Sequence, residues 1–332
     1  MYWSKQTKIL LILLVFITFV FLWNAKIIDE ILPPPVKKYP DFVSILFAGD
    51  VMMDRGVRAR VEKSFDGDYN KIFENINLKP YDIFFANLEG TVSDKGKDGG
   101  GKFSFHMDPK VINALKEAGV DIVSVANNHV GDWGRTAYID TLSRLKDAGI
   151  LYTGGGINRI EAETPTIIEK NGIKLGFLGF SDVGPSWMPA SDKNAGLLLA
   201  QDTRFEEIIQ NASSQVDYLI VSFHFGDEYK VIHNARQEYL AHKAVDNGAK
   251  IVIGHHPHVP QDTEIYKDGF IAYSLGNFVF DQSWSEATMK GMLLEMTINK
   301  KGEISTKPKM IQLNNFFQPE IIAEEEIPPI SQ

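Results

Sequence analysis

The stretch IVIGHHPHVPQ, Ile251–Gln261, joins a short apolar run to three histidines within four positions. The run Ile251–Ile253 is β-branched throughout, which is typical of a buried strand. Residues two apart on an extended chain point to the same side, so His256 and His258 can converge on one site. His255 has the opposite parity and is the weakest candidate of the three. A simple pair of turn histidines is the alternative interpretation.

The same alternation of apolar runs and helical patterns extends through most of the chain. The predicted strands are Val43–Ala48, Ile83–Ala86, Ile122–Ala126, Lys174–Gly179, Tyr218–Phe223, Ile251–Ile253 and Phe270–Ser274. The predicted helices are Pro109–Ala118, Arg135–Ala148 and Ala235–Asn247. This order predicts an α/β fold. Two strand-like runs about a KKGE turn after Met289 predict a closing hairpin.

Polar residues follow six of these apolar runs. They are Asp50, Asn87, Glu89, Asn127, Asn128, His129, Asp132, His224, Asp227, Glu228, the three histidines at 255, 256 and 258, Asn277 and Asp281. A single Asn or Asp after a strand is usually a turn former or a helix cap. Turn chemistry gives no reason for histidine, however, and ligands of open α/β sheets bind outside the carboxyl ends of the strands. Imidazole and carboxylate together favour Mn, Zn or Fe over Ca.

The composition excludes several classes of site. The 332 residues include no cysteine, so disulfides, Cys-zinc sites and thiol nucleophiles are absent. The formal net charge is −9, with no basic cluster outside the N-terminus, which argues against a nucleic-acid partner. Any metal site must therefore use His, Asp, Glu and Asn.

The N-terminal segment predicts a membrane anchor over residues 1–30. Lys5 and Lys8 precede the apolar run Ile9–Trp23, which approaches the roughly 20 residues that span a bilayer. A cleaved signal peptide is one alternative, but bulky Trp23 stands three residues back from a cut after Ala25. A buried core helix is the other. We expect a single-pass protein of the cell membrane with its domain outside the cytoplasm.

Composition also predicts the remaining boundaries. A Pro-rich linker covers 31–40 and includes Pro33–Pro35, whose consecutive prolines favour a stiff extended spacer. The folded domain is predicted over 41–318. An acidic tail is predicted over 319–332, with the solvated part from Ala323 onward.

Six motifs in order resemble a known family. They are GDVMMDR, NLEG, NNHVGDWG, HFGDEY, GHHPHVPQ and SLGNFVFDQ, and they lie between Val43 and Gln282. They resemble the CapA/PgsA family of capsule (poly-γ-glutamate) synthesis, which is in turn similar to calcineurin-like metallophosphoesterases. The resemblance implies a four-layer α/β/β/α sandwich with a two-metal site on its strand-end loops. It also implies an anionic polymer or phosphoester substrate and other capsule-synthesis membrane proteins as partners.

The resemblance also implies a ligand set for one or two divalent ions per chain, Mn, Zn or Fe. The implied metal ligands are Asp50, Glu89, Asn128, His224, His256 and His258. One site, with Glu89, Asn128, His224 and His256, is nearly complete. The other keeps Asp50, Glu89 and His258 but lacks a fourth ligand, because Met52 stands at that position and a thioether is a poor ligand for a hard divalent ion.

Two residues are candidates for catalytic roles. His129, beside the implied ligand Asn128, would donate a proton to a leaving group, and a helix cap or packing residue is the alternative. Arg55 would contact an anionic substrate, and a structural salt bridge is the alternative. The remaining carboxylates near the site are predicted to orient imidazoles, and they are Asp132, Asp227, Glu228 and Asp281.

Two functions therefore remain open. The first is a membrane-anchored, metal-dependent hydrolase or transferase acting in capsule biosynthesis. The second is a non-catalytic polymer-binding or structural component of a capsule synthesis or export complex. The retained His129 favours the first, whereas Met52 favours the second.

Overall fold

The computed structural model describes residues 4–31, 40–78 and 81–324. The chain divides into two compact units, Met1–Pro40 and Asp41–Gln332. The predicted Pro-rich linker lies outside the described residues except at its two ends, Ile31 and Pro40.

The first unit contains one long helix, α1 (Lys5–Ile31). Its stretch Lys5–Trp23 has a mean hydropathy of 2.2 and is long and apolar enough to cross a membrane, a test that signal sequences also pass. The hydroxyl of Thr18 donates hydrogen bonds to the carbonyl oxygens of Leu14 and Val15, at 3.0 and 2.9 Å. The single polar side chain of the apolar run is thus satisfied within the helix, as an apolar environment requires.

The second unit contains six α-helices and two 3₁₀ turns among its described residues. The helices are α2 (Arg55–Ser64), α3 (Lys110–Ala118), α4 (Gly134–Asp147), α5 (Arg159–Glu163), α6 (Phe205–Ser213) and α7 (Ala235–Asp246), and the 3₁₀ turns are Tyr69–Phe73 and Ala287–Met289. The strands are β1 (Phe42–Val51), β2 (Ile83–Leu88), β3 (Thr91–Val92), β4 (His106–Met107), β5 (Ile122–Ser124), β6 (Leu151–Thr153), β7 (Gly155–Gly156), β8 (Thr166–Lys170), β9 (Ile173–Ser181), β10 (Gly196–Leu197), β11 (Tyr218–His224), β12 (Ala249–His255), β13 (Thr263–Tyr266), β14 (Gly269–Ala272), β15 (Asn277–Val279), β16 (Lys290–Asn299), β17 (Ile304–Leu313) and β18 (Pro319–Glu324).

The longer strands form two mixed sheets. The first has the order β18-β17-β16-β1-β2-β5-β6, with β15 also paired to β1, and the second has the order β13-β14-β12-β11-β9-β8. Strands β1, β2, β5, β6 and β15 run parallel to one another, as do β9, β11, β12 and β14. The carboxyl ends of these parallel strands therefore lie at one edge of each sheet.

The two sheets pack face to face through an apolar layer. Val43, Ile45 and Phe47 of β1 lie in one buried cluster with Ile220 and Ile251 of the second sheet. These positions alternate along β1, because successive side chains of a strand point to opposite faces. Each fully buried large apolar side chain of such a layer contributes about 1.5–3 kcal/mol to stability.

The outer face of each sheet is covered by helices. Leu46 of β1 shares a buried cluster with Leu115 of α3 and Leu142 of α4. On the other side, Val221 of β11 shares one with Leu240 of α7. The order of layers is therefore helix, sheet, sheet, helix, and the predicted four-layer α/β/β/α sandwich is confirmed.

The predicted elements agree with the structure to within a few residues. Each predicted strand and helix is present, and the closing hairpin is β16 with β17. Gly149 and Gly248 follow α4 and α7 at φ 68° and 108°, where glycine avoids the clash that a side chain would cause. At the start of α3, Pro109 directly precedes the first helical residue, and the Asp108 carboxylate accepts a hydrogen bond from the Lys110 amide at 2.8 Å.

The C-terminal boundary differs from the prediction. Strand β18, Pro319–Glu324, pairs antiparallel with β17 and so covers the first part of the segment predicted as an acidic tail. Its exposed Ile321 and Ile322 and its glutamates match an edge strand, whose solvent-facing composition weakens the strand signal in a sequence. Residues 325–332 lie outside the described part of the chain.

Candidate metal centre

Strand ends from both sheets meet at one buried cluster. In the first sheet, Asp50 of β1 is level with Asn87 of β2 and with Asn277 of β15. In the second sheet, His224 of β11 is level with His255 of β12. The Asp50 carboxylate joins the two sheets, since its Oδ1 lies 3.4 Å from Nδ1 of His255.

The predicted metal ligands lie together at this point. All but the partly exposed Asn128 are buried, and the set is Asp50, Glu89, Asn128, His224, His256 and His258. The ligating atoms of Asp50, Glu89 and His224 lie within 4.8 Å of one another. Asn128 Oδ1 lies 2.8 Å from His224 Nε2.

The loop of residues 255–258, here called the histidine loop, adds further contacts to the cluster. His258 Nδ1 lies 3.4 Å from Asp50 Oδ2, and its Nε2 lies 3.8 Å from Glu89 Oε1. The rings of His224 and His256 are 4.8 Å apart between centroids. The structure thus brings the six residues into one cluster, and metal binding by them stays a prediction.

The backbone of this loop differs from the extended geometry that the sequence predicts. His256 and His258 have φ angles of 98° and 59°, in the left-handed region that costs a non-glycine residue about 1–3 kcal/mol. The His256 amide donates a hydrogen bond to Asp50 Oδ2 at 3.3 Å. The expected extended His-x-His is therefore wrong, and the two imidazoles converge through a strained turn.

The pKa values of the two carboxylates of the cluster, Glu89 and Asp50, are shifted in opposite directions. Burial, followed by the charge of Asp50, raises the pKa of Glu89 well above its usual range. Burial alone would also raise the pKa of Asp50, but the hydrogen bonds and charges of His255 and His258 outweigh it and hold that pKa well below its usual range. Asn87 adds a hydrogen bond from Nδ2 to Asp50 Oδ1 at 2.8 Å.

The imidazoles also differ. Burial, followed by the charge of His258, lowers the pKa of His256 to about 3, and burial and His256 lower the pKa of His224 well below its usual value. Burial opposes protonation of His258 as well, but the charges of Glu89 and Asp50 outweigh it and raise its pKa to about 9. His224 and His256 are therefore neutral at physiological pH, which is the form of imidazole that binds metals.

Unpartnered polar atoms indicate that the cluster fits a cation. Both oxygens of Glu89 and Nδ1 of His256 are buried and have no hydrogen-bond partner among the described residues. Proteins leave few buried polar atoms unpaired, because each costs about 1–3 kcal/mol. A divalent ion would satisfy them, and this mixture of nitrogen and oxygen ligands suits Mn, Zn or Fe.

His129 lies at the edge of the cluster and is paired with a carboxylate. Its Nδ1 lies 2.8 Å from Asp132 Oδ2, and its Nε2 lies 3.9 Å from Glu89 Oε1. The ring packs on Phe105 at 3.9 Å between centroids. Asp132 therefore orients an imidazole, as the sequence predicts, and turns the other ring nitrogen of His129 toward the predicted ligand Glu89.

Arg55 is part of an ion pair. Its guanidinium is bonded to the Asp281 carboxylate, with Nε at 3.2 Å from Oδ2, and it lies 4.8 Å above the Phe105 ring. The Gly56 amide donates to the same carboxylate at 2.9 Å. The structural salt bridge, which the sequence analysis gave as the alternative to a substrate contact, is therefore present. The catalytic role of Arg55 stays a prediction. Asp281 bonds Arg55 here, not an imidazole.

Met52 forms an apolar wall beside the cluster. Its side chain is fully buried in a small apolar cluster with Phe105 and Phe280. Its sulfur accepts a hydrogen bond from the Asp54 amide at 3.2 Å. The position that the resemblance assigns to a second-site ligand is thus used for packing.

Other polar residues that the sequence placed at strand ends now have definite positions. Asn277 Oδ1 lies 3.0 Å from His258 Nδ1, so Asn277 orients that imidazole. Asp227 accepts a hydrogen bond from the Asn234 side chain at 2.7 Å, in place of the predicted contact with an imidazole. Glu228 has its carboxylate within 4.8 Å of ring nitrogens of both His256 and His258. The strand-end pattern contained the signal for Asn277 and Glu228, but not their partners.

Known proteins similar to this chain were found by sequence. The model of the family "Bacterial capsule synthesis protein PGA_cap" matches residues 44–282. The capsule biosynthesis protein CapA of Bacillus anthracis is 33% identical over 283 residues, which cover 82% of this chain and 68% of that protein. The PGA biosynthesis protein CapA of Bacillus subtilis (strain 168) is 32% identical over 303 residues, which cover 90% of this chain and 78% of that protein.

Solved structures give a more distant likeness, which concerns the fold alone. A 5'-nucleotidase precursor from Thermus thermophilus is 13% identical with a TM-score of 0.47, covering 84% of this chain and 56% of that one. The NAD nucleotidase of Haemophilus influenzae is 12% identical with a TM-score of 0.46, covering 85% and 60%. The extent of the sequence matches, by contrast, decides the family: this chain belongs to the bacterial capsule synthesis family PGA_cap.

Proposed function

We propose that this chain is a membrane-anchored protein of capsule or poly-γ-glutamate biosynthesis whose metal-dependent site faces outside the cytoplasm. Membership of the capsule synthesis family supports the biosynthetic role. The apolar stretch Lys5–Trp23 of α1 supports anchoring. The substrate would be an anionic polymer or a phosphoester, and other capsule-synthesis membrane proteins would be partners.

One observation carries the metal-dependent part of this proposal. The buried Glu89 carboxylate has no hydrogen-bond partner among the described residues, yet its ligating oxygen lies within 4.8 Å of those of Asp50 and His224, and its Oε1 lies 3.8 Å from His258 Nε2. Glu89, Asn128, His224 and His256 would hold one divalent ion. A bound divalent cation supplies Lewis-acid chemistry at a phosphoryl or carbonyl oxygen.

His129 would act as the general acid of a hydrolysis or transfer reaction. Asp132 holds its Nδ1, so its Nε2 is free to give a proton to a leaving group beside Glu89. Arg55 would contact an anionic substrate through the guanidinium donors that Asp281 leaves free. These roles support a metal-dependent hydrolase or transferase.

A second candidate function rests on Met52. Its burial against Phe105 and Phe280 removes one ligand from the second site that the resemblance implies. The alternative is therefore a non-catalytic component of a capsule synthesis or export complex, which keeps the site to bind polymer or metal.

Substitution of His129 separates the two functions. The His129→Ala variant should lose about 10²- to 10⁴-fold in turnover of a chromogenic phosphodiester or a γ-glutamyl amide, with its metal content unchanged. His256→Ala should lose most of its bound metal. As the control, His233→Ala removes a histidine that pairs with Asp262 away from the cluster, and it should change neither.

The opposite results would favour the second function. If the parent protein hydrolyses neither substrate, and cells with His129→Ala still form capsule, the site has a binding role. Metal retained in full by a variant lacking both His224 and His256 would contradict the ligand set.

The membrane topology has its own test. Protease added to intact spheroplasts should digest the domain, and full protection of the domain would reverse the proposed orientation.

A further inference from the structure

The proposed metal site leaves one question about its second ion. Asp50, Glu89 and His258 lie close enough to share an ion, but Met52 contributes an apolar side chain where the resemblance implies a ligand. A carboxylate from elsewhere would complete the set. The fold places one such group beside the histidine loop.

Glu228 lies on the loop that follows β11, and this loop is bonded along the histidine loop at two points. The Phe225 amide donates to the His255 carbonyl oxygen at 3.0 Å, and the Tyr229 amide donates to the Pro257 carbonyl oxygen at 2.8 Å. One backbone hydrogen bond before Glu228 and one after it therefore fix its backbone beside the histidine loop. The carboxylate lies near the imidazoles because the two loops are bonded together, not because of the flexibility of its side chain alone.

The residue next to Glu228 adds to this placement. Tyr229 has a φ of 66°, a left-handed conformation that costs a non-glycine residue about 1–3 kcal/mol. Its ring stacks on His258 at 6.2 Å between centroids. The strained residue thus stacks on one of the two imidazoles whose ring nitrogens lie near the Glu228 carboxylate.

The carboxylate and the two imidazoles form a group of their own. The ligating atoms of Glu228, His256 and His258 lie within 4.8 Å of one another, and the described part of the chain offers the buried His256 Nδ1 no hydrogen-bond partner. On the basis of the metal-dependent site proposed above, we propose that Glu228 supplies the ligand that Met52 does not, so that the chain holds two divalent transition-metal ions. The exposed side of Glu228 leaves this ion open to solvent and substrate.

The test measures metal binding by the purified full-length chain, not activity. Metal-free parent protein is titrated with Mn²⁺, and the bound metal is quantified by elemental analysis after gel filtration. The parent should bind two Mn²⁺ per chain. Glu228→Gln should bind one with the parent's affinity and the other more weakly, by more than the roughly 10- to 100-fold that loss of an orienting group costs.

Asp227→Asn is the matched control. It removes the same charge one residue away, but the Asp227 carboxylate bonds Asn234 and not an imidazole. Its effect on Mn²⁺ affinity should stay below about 10-fold, as for an exposed charge. Circular dichroism spectra of both variants establish that they are folded.

Each outcome decides the proposal. Two ions of unchanged affinity in Glu228→Gln, equal losses in the two variants, or a single ion in both parent and Glu228→Gln would overturn it, while leaving the metal-dependent site intact. A parent that binds no Mn²⁺, Zn²⁺ or Fe²⁺ at all would instead overturn the proposed function on which it rests.

Discussion

Two buried carboxylates in this protein, Asp140 and Glu89, have opposite surroundings. Asp140 on α4 accepts hydrogen bonds from Ser93 Oγ, Lys95 Nζ and Arg144 Nε at 2.7, 2.6 and 2.7 Å. Glu89, after β2, is fully buried and accepts none from the described residues. Asp140 thus has hydrogen-bond donors on both of its oxygens, whereas Glu89 has none among the described residues.

The pKa values of Asp140 and Glu89 are shifted in opposite directions. Burial opposes ionisation of Asp140, but Lys95, Arg144 and Ser93 outweigh it and lower its pKa to about 2. Burial and the charge of Asp50 raise the pKa of Glu89 well above its usual range. A satisfied carboxylate stabilises the fold, whereas an unsatisfied one costs stability and is a candidate for function. Asp140 is therefore a structural acid, whereas Glu89 is a predicted metal ligand.

The largest effect is expected for Glu89→Gln. Metal affinity should fall by more than the roughly 100-fold upper range for an orienting group. In the presence of a chelator, however, the free energy of unfolding of the variant should exceed that of the parent by about 1–3 kcal/mol at pH 7, because the parent must either bury an unpaired charge or hold a proton on Glu89 at that pH.

The sign of its pH dependence follows from the raised pKa of Glu89. Below the pKa of the unfolded chain, Glu89 carries its proton in both the folded and the unfolded state, so it does not lower the stability of the parent there. As the pH rises above about 4.3, the unfolded chain loses this proton more readily than the folded one, and the loss of stability in the parent grows. The advantage of Glu89→Gln should disappear in acid, as measured by urea unfolding across pH. A variant less stable than the parent at pH 7 would contradict the comparison.

Asp140→Asn should have the opposite effect, lowering the free energy of unfolding by about 1–2 kcal/mol at pH 7, since Lys95 and Arg144 are partly exposed. The pKa of Asp140 is depressed, so its contribution is present above about pH 4 and is lost as the pH falls toward 2. Urea unfolding at pH 7 and about pH 2.5 measures this. Metal content should not change, and any loss of metal would mean that the two carboxylates are coupled.

Asn277→Ala should weaken metal binding by about 10- to 100-fold, because Asn277 Oδ1 orients His258 without being a proposed ligand. Asn277→Asp keeps an acceptor at that position and should recover most of the affinity. Competition with a chelating dye measures both. Equal losses in the two variants would indicate that Asn277 acts through packing.

The smallest effect is expected for Met52→Leu. Leucine is similar in volume and apolar, so the wall with Phe105 and Phe280 should persist, with a change in stability below about 1.5 kcal/mol. Metal stoichiometry should equal that of the parent, as measured by elemental analysis. Loss of one ion would show that the thioether binds metal and that Met52 belongs with Glu89, not with the core.

Much of the fold could be predicted from local patterns. The apolar runs at Ile83 and Ile251 and the glycines at 149 and 248 carry their strand and helix-end signals within a few residues. The edge strand Pro319–Glu324 was missed, because its acidic and exposed positions resemble a solvated tail. The strained turn at His256 and His258 was missed as well, since nothing in the sequence marks a positive φ there.

The alternation of strands and helices depends on neighbours along the chain, and so does the position of Asp50, Glu89, His224 and the histidine loop at strand ends. Local patterns were therefore enough to predict these features. The contacts between distant groups depend on the tertiary structure: Asp132 with His129, Arg55 with Asp281, and Glu228 with His256 and His258. The order of strands and the stacking of two sheets bring Arg55 and Asp281 together across most of the domain, and such long-range pairing depends on how the whole core packs, not on any local stretch.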